Sequence, residues 1–313
     1  MIIINNNLNL TDKTCVALGN FDGVHLGHAR IIEQTVLNAN KKNLTSCVYT
    51  FNHHPSELLG LNKTILTDNE DKIDLIDSLG CDALYLDDFE SIRNMSPHDF
   101  CVNILKNKLN AEYVFCGENY TFGYLGKGNT EILKHELDKL EINLIIVPYV
   151  YDKDNKIVSS TLIRNLIETG KINEANLLLG HNYNIKGKVT TGKKLGRKLG
   201  FPTLNLDFPP NKTIPEFGVY ISMCYIDGIK YNGITNIGKR PTTDSSTDKK
   251  DLINCETFLF DFDEDAYNKF IEVKLVEKIR DEIRFTSIDE LVSQIKKDTS
   301  FAISYFSNSS KEC

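Results

Sequence analysis

The sequence predicts an α/β domain with a parallel sheet, followed by an antiparallel barrel or sandwich that one helix closes. Three observations carry this prediction. Short apolar runs alternate with helical patterns through the first half of the chain. After Gly180 the texture changes to strand-like runs separated by Gly, Pro, Asn and Asp, with no long helix between them. The length of 313 residues, 41% of them hydrophobic, is enough for about two domains with substantial cores.

The predicted strands of the first half are Cys15 to Leu18, Ser46 to Phe51, Ala83 to Leu86, Tyr113 to Cys116 and Leu144 to Val147. Each is a short, nearly continuous apolar run, the pattern of a strand buried on both faces. Helical spacing fills the intervals at His28 to Asn38, Asp68 to Ser78, Ser96 to Lys108 and Asn129 to Leu140. Ser96-Pro97 is a strong start signal, with serine as N-cap and proline in the first turn. In such sheets, ligands bind beyond the carboxyl ends of the strands.

In the second half, Val189, Val219 to Ile226, Lys230 to Ile237, Asn254 to Phe260 and Ile271 to Ile279 read as strands. Ser287-Ile288-Asp289-Glu290 is a capping box ahead of the periodic Leu291, Val292, Ile295 and Ile303. The change of texture places the boundary near Tyr183 to Lys186, giving domains of residues 1–183 and 184–313.

Charge and cysteine usage narrow the function classes. The net charge of -7 leaves no global basic field for nucleic acid. None of the 8 cysteines forms a C-x-x-C pair, and most sit in apolar stretches. Buried thiols in a reducing, cytoplasmic setting are therefore expected, rather than disulfides or a zinc site. No stretch approaches the length of a membrane span.

Two segments concentrate chemistry. Gly19-Asn20-Phe21-Asp22-Gly23-Val24-His25-Leu26-Gly27-His28 follows the first predicted strand and opens a helix. Glycines allow a sharp turn and close approach of a ligand, and a helix start offers free N–H groups for phosphate. His25 and His28 add donors that can stabilise developing charge. Packing alone does not explain two histidines, three glycines and an aspartate at one strand–turn–helix junction. The other segment runs from Lys186 to Leu206, with six basic residues, no acid, and interleaved Gly187, Gly192, Gly196 and Gly200. A glycine-rich basic loop suits nucleotide phosphates, although the Walker A spacing is absent. It lacks interleaved aromatics between Lys186 and Lys198, which argues against single-strand nucleic-acid binding. Thr203 and Asn205 in Gly200-Phe201-Pro202-Thr203-Leu204-Asn205-Leu206 are two apart in an extended stretch and so share a face. Their neutral oxygens suit Mg²⁺ that takes its remaining ligands from ATP and water.

The first segment resembles the His-x-Gly-His signature of nucleotidylyltransferases, in the form found in bacterial bifunctional riboflavin kinase/FAD synthetases. Thr50 to Pro55, Gly117 to Gly123 and Val158 to Arg164 resemble three further motifs of the adenylyltransferase module, in order. Read alone, Ser160-Thr161 serves equally as a helix cap. Gly187 to Leu206, Phe217 to Tyr220, Asn236 to Thr242, and Arg280-Asp281-Glu282 with Phe285 resemble the riboflavin kinase barrel of the same family. Together the motifs run from Gly19 to Phe285.

The resemblance implies an α/β nucleotidylyltransferase (Rossmann-like) domain, then an antiparallel β-barrel riboflavin kinase domain with a C-terminal helix. It implies that riboflavin is phosphorylated to FMN in the C-terminal half and FMN is adenylylated to FAD in the N-terminal half. It assigns catalytic roles to Glu256, His28 and Arg164. ATP contacts fall on Gly19, Phe21, His25, His28, Ser160, Thr161 and Arg164 in one half, and on Gly187, Lys193, Gly196 and Arg197 in the other. Asn119, His54 and Arg280 would contact flavin, and Thr203 with Asn205 would hold Mg²⁺. Two positions depart from the family: His53 stands where proline is usual, and Phe258 where histidine is usual. Implied partners are riboflavin, FMN and ATP, with apo-flavoproteins as transient recipients of product and no nucleic acid or membrane. The chain is expected to be a monomer or weak oligomer.

Overall fold

The computed structural model describes residues 1–5, 9–58, 63–191, 196, 199–239 and 253–309. The chain divides into two compact units, Met1–Leu162 and Ile163–Cys313.

The N-terminal unit holds six parallel strands: β1 (Ile2–Asn5), β2 (Thr14–Leu18), β3 (Thr45–Phe51), β4 (Ala83–Asp87), β5 (Ala111–Gly117) and β6 (Asn143–Val147). Their order in the sheet is β1-β4-β3-β2-β5-β6. From β2 the chain goes to β3 on one side and later to β5 on the other. The strand order therefore reverses at β2, and a crevice opens at the carboxyl end there. All five residues of β2 are buried, because β3 and β5 flank it and helices cover both faces. Apolar clusters lie on the two sides of the sheet, one around Tyr49, Tyr85 and Phe100, the other around Phe21, Ile32 and Phe115.

Helix α1 (Leu26–Lys42) starts two residues before the predicted His28, because His25 itself caps it, and runs past Asn38 to a left-handed Asn43. Between β3 and β4 lie α2 (Pro55–Leu58) and α3 (Asn69–Ser78), and Asp68 caps α3 by accepting from the Asp71 N–H at 2.8 Å. After α4 (Phe89–Ile92), the segment predicted as one helix from Ser96 splits. A turn of α-helix, α5 (Pro97–Asp99), carries the expected Ser96 cap and then widens into a π-helical stretch over Phe100–Lys108. Asn129 caps α6 (Thr130–Lys139). Strand β1 escaped prediction. It is an edge strand of four residues, with Ile2 and Ile3 exposed, so it lacks the signature of a buried run.

The C-terminal unit begins within α7 (Ser160–Glu168) and continues through α8 (Ile172–Leu179). Six antiparallel strands follow: β7 (Asn184–Lys188), β8 (Thr203–Asp207), β9 (Gly218–Ile226), β10 (Ile229–Lys239), β11 (Ile253–Leu259) and β12 (Phe270–Asp281). Their order is β7-β12-β9-β10-β11-β8. Just beyond β7, Thr190 forms a bridge to Asn205 of β8, which nearly closes the sheet into a barrel. Of the two architectures left open by the sequence, the barrel is the one formed. Val189 lies one residue past β7, its N–H donating to Lys269 O at 2.9 Å. The last helix spans Ile288–Ser309. Ser287 caps it by accepting from the Glu290 N–H at 3.2 Å, and Glu290 reaches back to the Thr286 N–H at 2.9 Å. A cap of this kind contributes about 1 kcal/mol.

Candidate active sites

Within each unit, several of the predicted residues lie close together. In the N-terminal unit the turn after β2 adopts left-handed backbone at Phe21 (φ 50°), Gly23 (φ 83°) and Val24 (φ 36°). Such conformations cost about 1–3 kcal/mol at non-glycine positions and persist only where the surroundings fix them. Here four hydrogen bonds do so. The buried Asp22 carboxylate accepts from Leu66 N (2.8 Å) and Thr67 N (3.3 Å), Gly23 N donates to Thr67 Oγ1 (3.0 Å), and Thr50 Oγ1 donates to Asn20 O (3.1 Å). Phe21 is fully buried, and a Cβ on Gly19 would come within 2.9 Å of its ring. The Phe21 ring is thus part of the core, so only its backbone is offered to a ligand.

His25 is the N-cap of α1, its Nδ1 accepting from the His28 N–H at 3.3 Å. An accepting Nδ1 makes this ring a neutral tautomer with its proton on Nε2. The two imidazoles stack at 3.7 Å between centroids, 16° apart. The Phe21 ring meets His28 edge-on at 5.3 Å. A Cβ on Gly27 would sit 3.1 Å from the His25 ring, so glycine lets this stack form. Burial, then the neighbouring His25, hold the His28 imidazole well below its ordinary pKa. Its Nδ1 is buried without a hydrogen-bond partner among the described residues.

The other N-terminal motifs reach the same carboxyl edge. After β3, His54 accepts from Ser56 N at 3.2 Å and pairs with Ser56 Oγ at 2.5 Å, while His53 is exposed. Asn119 is exposed two residues beyond β5. Ser160 Oγ donates to Asp22 O at 3.1 Å, tying the start of α7 to the glycine turn. Thr161 is exposed on that first turn, and Arg164, one turn on, is buried.

In the C-terminal unit the site is assembled by strand register. Asn205 of β8 lies opposite Glu256 of β11, and Thr203 lies opposite Phe258. Glu256 faces Asn236 of β10 on its other side. Alternation along strands puts these side chains on one face. Thr203, Asn236, Glu256 and Phe258 border a cavity of about 270 Å³ whose lining also includes Arg280. Phe201 packs edge-on against Phe258 at 5.3 Å.

The last helix forms part of the wall. Arg280 donates from Nε and Nη2 to Asp298 Oδ2, both at 2.9 Å, and from Nη1 to Asp281 O at 2.9 Å. Asp298 is 2% exposed, and its other oxygen accepts from Gln294 Nε2 at 2.8 Å. The Arg280 guanidinium lies 5.9 Å from the centre of the Phe285 ring.

Sequence reasoning missed Asp298 and Asn254, which touch predicted site residues, and Gln294, which holds Asp298. Asn254 Nδ2 donates to Asn205 Oδ1 (3.1 Å) and to Glu256 Oε1 (2.8 Å). The available signal was its place two residues before Glu256, hence on the same face. Among the predicted glycines, Gly196 is required, since a Cβ there would meet Phe201 O at 2.3 Å. A Cβ at Gly187 would make only ordinary contact, 3.6 Å from Leu206. Lys193, Arg197 and the Arg240-to-Thr242 end of the Asn236 motif lie outside the described residues.

For a divalent cation the protein oxygens are few. No group of three or more His, Cys, Asp or Glu side chains placed to hold a metal occurs among the described residues. Thr203 and Asn205 offer neutral oxygens beside one carboxylate. This donor set fits Mg²⁺ arriving with nucleotide phosphates and does not fit a cage made by protein alone.

Residues 8–162 match the FAD synthetase family and residues 179–306 match the riboflavin kinase family. The chain belongs to the bifunctional riboflavin kinase/FMN adenylyltransferases. It is 39% identical over 300 residues to the Bacillus subtilis bifunctional riboflavin kinase/FMN adenylyltransferase, covering 95% of this chain and 93% of the relative. The Buchnera aphidicola protein of the same name, from the Acyrthosiphon pisum symbiont, is 36% identical, covering 97% and 96%. A crystal structure described as a macrolide-efflux protein from Streptococcus pneumoniae superposes with a TM-score of 0.86 at 31% identity, covering 96% of this chain and 99% of that one. The efflux name belongs to that protein. Among the described residues of this chain, no helix is long and apolar enough to cross a membrane.

Proposed function

We propose that residues 1–183 and 184–313 act as separate catalytic domains in a two-step synthesis, with the named side chains in the roles below. The chain is a riboflavin kinase and an FMN adenylyltransferase.

In the kinase step a ribityl hydroxyl of riboflavin attacks the γ-phosphorus of ATP, and ADP leaves. Glu256 accepts the hydroxyl proton. The observation that carries this assignment is its position: a half-buried carboxylate at the cavity, opposite Asn205 and held at one oxygen by Asn254. Arg280, fixed by Asp298, keeps N–H groups for the flavin or the phosphates. Gly196 allows close approach of the Phe201 carbonyl, and Gly187, Lys193 and Arg197 complete the ATP contacts. Thr203 and Asn205 hold Mg²⁺, which neutralises phosphate charge when bound.

In the adenylyl step an FMN phosphate oxygen attacks the α-phosphorus of ATP, and pyrophosphate leaves. The nucleophile is already anionic, so no protein base is required. Positioning and charge stabilisation supply the rate. Two features support the N-terminal turn as the triphosphate site. The start of α1 presents backbone N–H groups, and His25 keeps its proton on Nε2 as a donor. Gly19, Phe21, His28, Ser160, Thr161 and Arg164 complete it, with Asn119 and His54 toward the flavin. We assign the chain to the cytoplasm, with apo-flavoproteins as recipients of FMN and FAD, acting as a monomer or weak oligomer.

The experiment is an incubation of the purified chain with riboflavin, ATP and Mg²⁺, with flavins separated by chromatography. FMN followed by FAD is expected. FMN that is never adenylylated would remove the N-terminal assignment, and untouched riboflavin would remove the C-terminal one.

A further inference from the structure

Asn254 combines two features that ordinary strand packing does not require. It is 7% exposed, and both protons of its amide are directed at the kinase residues, Asn205 Oδ1 at 3.1 Å and Glu256 Oε1 at 2.8 Å. Its own Oδ1 is buried with no hydrogen-bond partner among the described residues. The amide cannot be turned over to cure this. Oδ1 would then face two acceptor oxygens with no proton between any of them. A buried unpartnered acceptor is costly, and such violations concentrate where function demands them.

The register explains how one side chain reaches both. Asn254 and Glu256 are two apart on β11 and share a face, while Asn205 lies directly across from Glu256 and diagonally from Asn254. The Thr190 N–H holds the Asn205 carbonyl at 2.8 Å, which fixes the backbone at the barrel seam, while the amide itself donates to Thr203 O only at 3.5 Å. The bond from Asn254, at 3.1 Å, is the shorter restraint on that side chain.

We propose that Asn254 is a positioning residue of the kinase, fixing the Asn205 amide and the Glu256 carboxylate relative to each other. This rests on the roles given above to Asn205 and Glu256. With Oε1 held, the Glu256 carboxylate keeps one orientation toward the hydroxyl. With Oδ1 held by one lone pair, Asn205 turns the other toward the nucleotide side. Loss of Asn254 would leave both groups present and loose, and misplacement of about 1 Å costs on the order of 100-fold in rate.

The test is Asn254→Leu in the full chain, close in size and without polar atoms, beside Asn254→Thr, which keeps one donor. The expected result for Asn254→Leu is a kcat for FMN formation lowered at least about tenfold, with the KM for riboflavin within about threefold. Adenylylation of FMN by the same sample should be unchanged, and Asn254→Thr should recover part of the loss. Calorimetric titration with ADP should show weaker binding when Mg²⁺ is present and unchanged binding in EDTA. A melting temperature within about 4 °C of wild type is expected, since the unpartnered carbonyl is removed with the donors. Wild-type kcat in Asn254→Leu, or a loss only in proportion to unfolded protein, would overturn the proposal. Should Asn254→Leu not fold, wild-type kcat and Mg²⁺-dependent ADP binding in Asn254→Thr would overturn it equally. Glu256→Gln assayed in parallel separates the levels. If it still makes FMN, the role of Glu256 fails; if it does not and Asn254→Leu does, only the role of Asn254 fails.

Discussion

The two candidate sites are built by opposite means. The N-terminal one centres on a contiguous turn, Gly19 to His28, whose geometry comes from left-handed backbone, a glycine under the Phe21 ring and a helix capped by His25. The described part of the C-terminal site centres on strands instead. Glu256 and Arg280 come from different strands to line one cavity, and antiparallel register sets Asn205 opposite Glu256. A site made by a turn uses backbone N–H groups and strain. A site made by register uses alternating side chains and depends on their neighbours for aim.

The largest effects should fall on the groups nearest the reacting atoms. Glu256→Gln keeps the shape and removes the base, a contribution of about 100- to 10,000-fold. FMN formation should fall by that order while conversion of added FMN to FAD stays near wild type. Loss of both in a folded chain would show that the halves are not independent.

His28→Ala removes a donor from the capped turn, and FAD formation should drop about 100- to 1,000-fold with riboflavin kinase activity retained. Wild-type FAD yield would contradict the assignment of the turn. A smaller loss is expected for Asn205→Ala. Its kinase turnover should fall at least about tenfold across an Mg²⁺ titration, because nucleotide phosphates still supply most of the metal's ligands. Normal turnover with an unchanged melting temperature would remove Asn205 from the metal site.

The smallest effect is on stability and sharpens the comparison in another way. The folded His28 imidazole is held well below its ordinary 6.5 by burial first and His25 second. As pH falls below about 6.5 the unfolded chain takes up a proton that the folded chain refuses. The stability contributed by the neutral ring is full above that pH and is lost as pH falls toward the folded value. The melting temperature should therefore decline through this window by a few degrees, and less steeply in His28→Gln. Equal slopes would show that the ring is not held neutral.

What could be read from the sequence followed the same division. The strand–helix alternation was legible because a parallel sheet needs fully apolar strands, as in β2, whose five residues are all buried. Edge strand β1, with Ile2 and Ile3 exposed, carried no such signal. The glycine turn was readable as a unit because its residues are neighbours, and so was Thr203 with Asn205 on one strand. Asp298 was hidden because it meets Arg280 only through packing of the last helix on the barrel, 18 residues further along. Asn254 was hidden because its partner Asn205 lies 49 residues earlier and meets it only through the β8–β11 register.

The most direct test of two independent sites is complementation. Glu256→Gln and His28→Ala chains would each be incubated with riboflavin, ATP and Mg²⁺, alone and mixed, and the flavins separated. The account predicts negligible FAD from either alone, FMN accumulating with His28→Ala, and FAD restored in the mixture as FMN made by one chain is adenylylated by the other. A mixture of folded chains that accumulates FMN without FAD would contradict it.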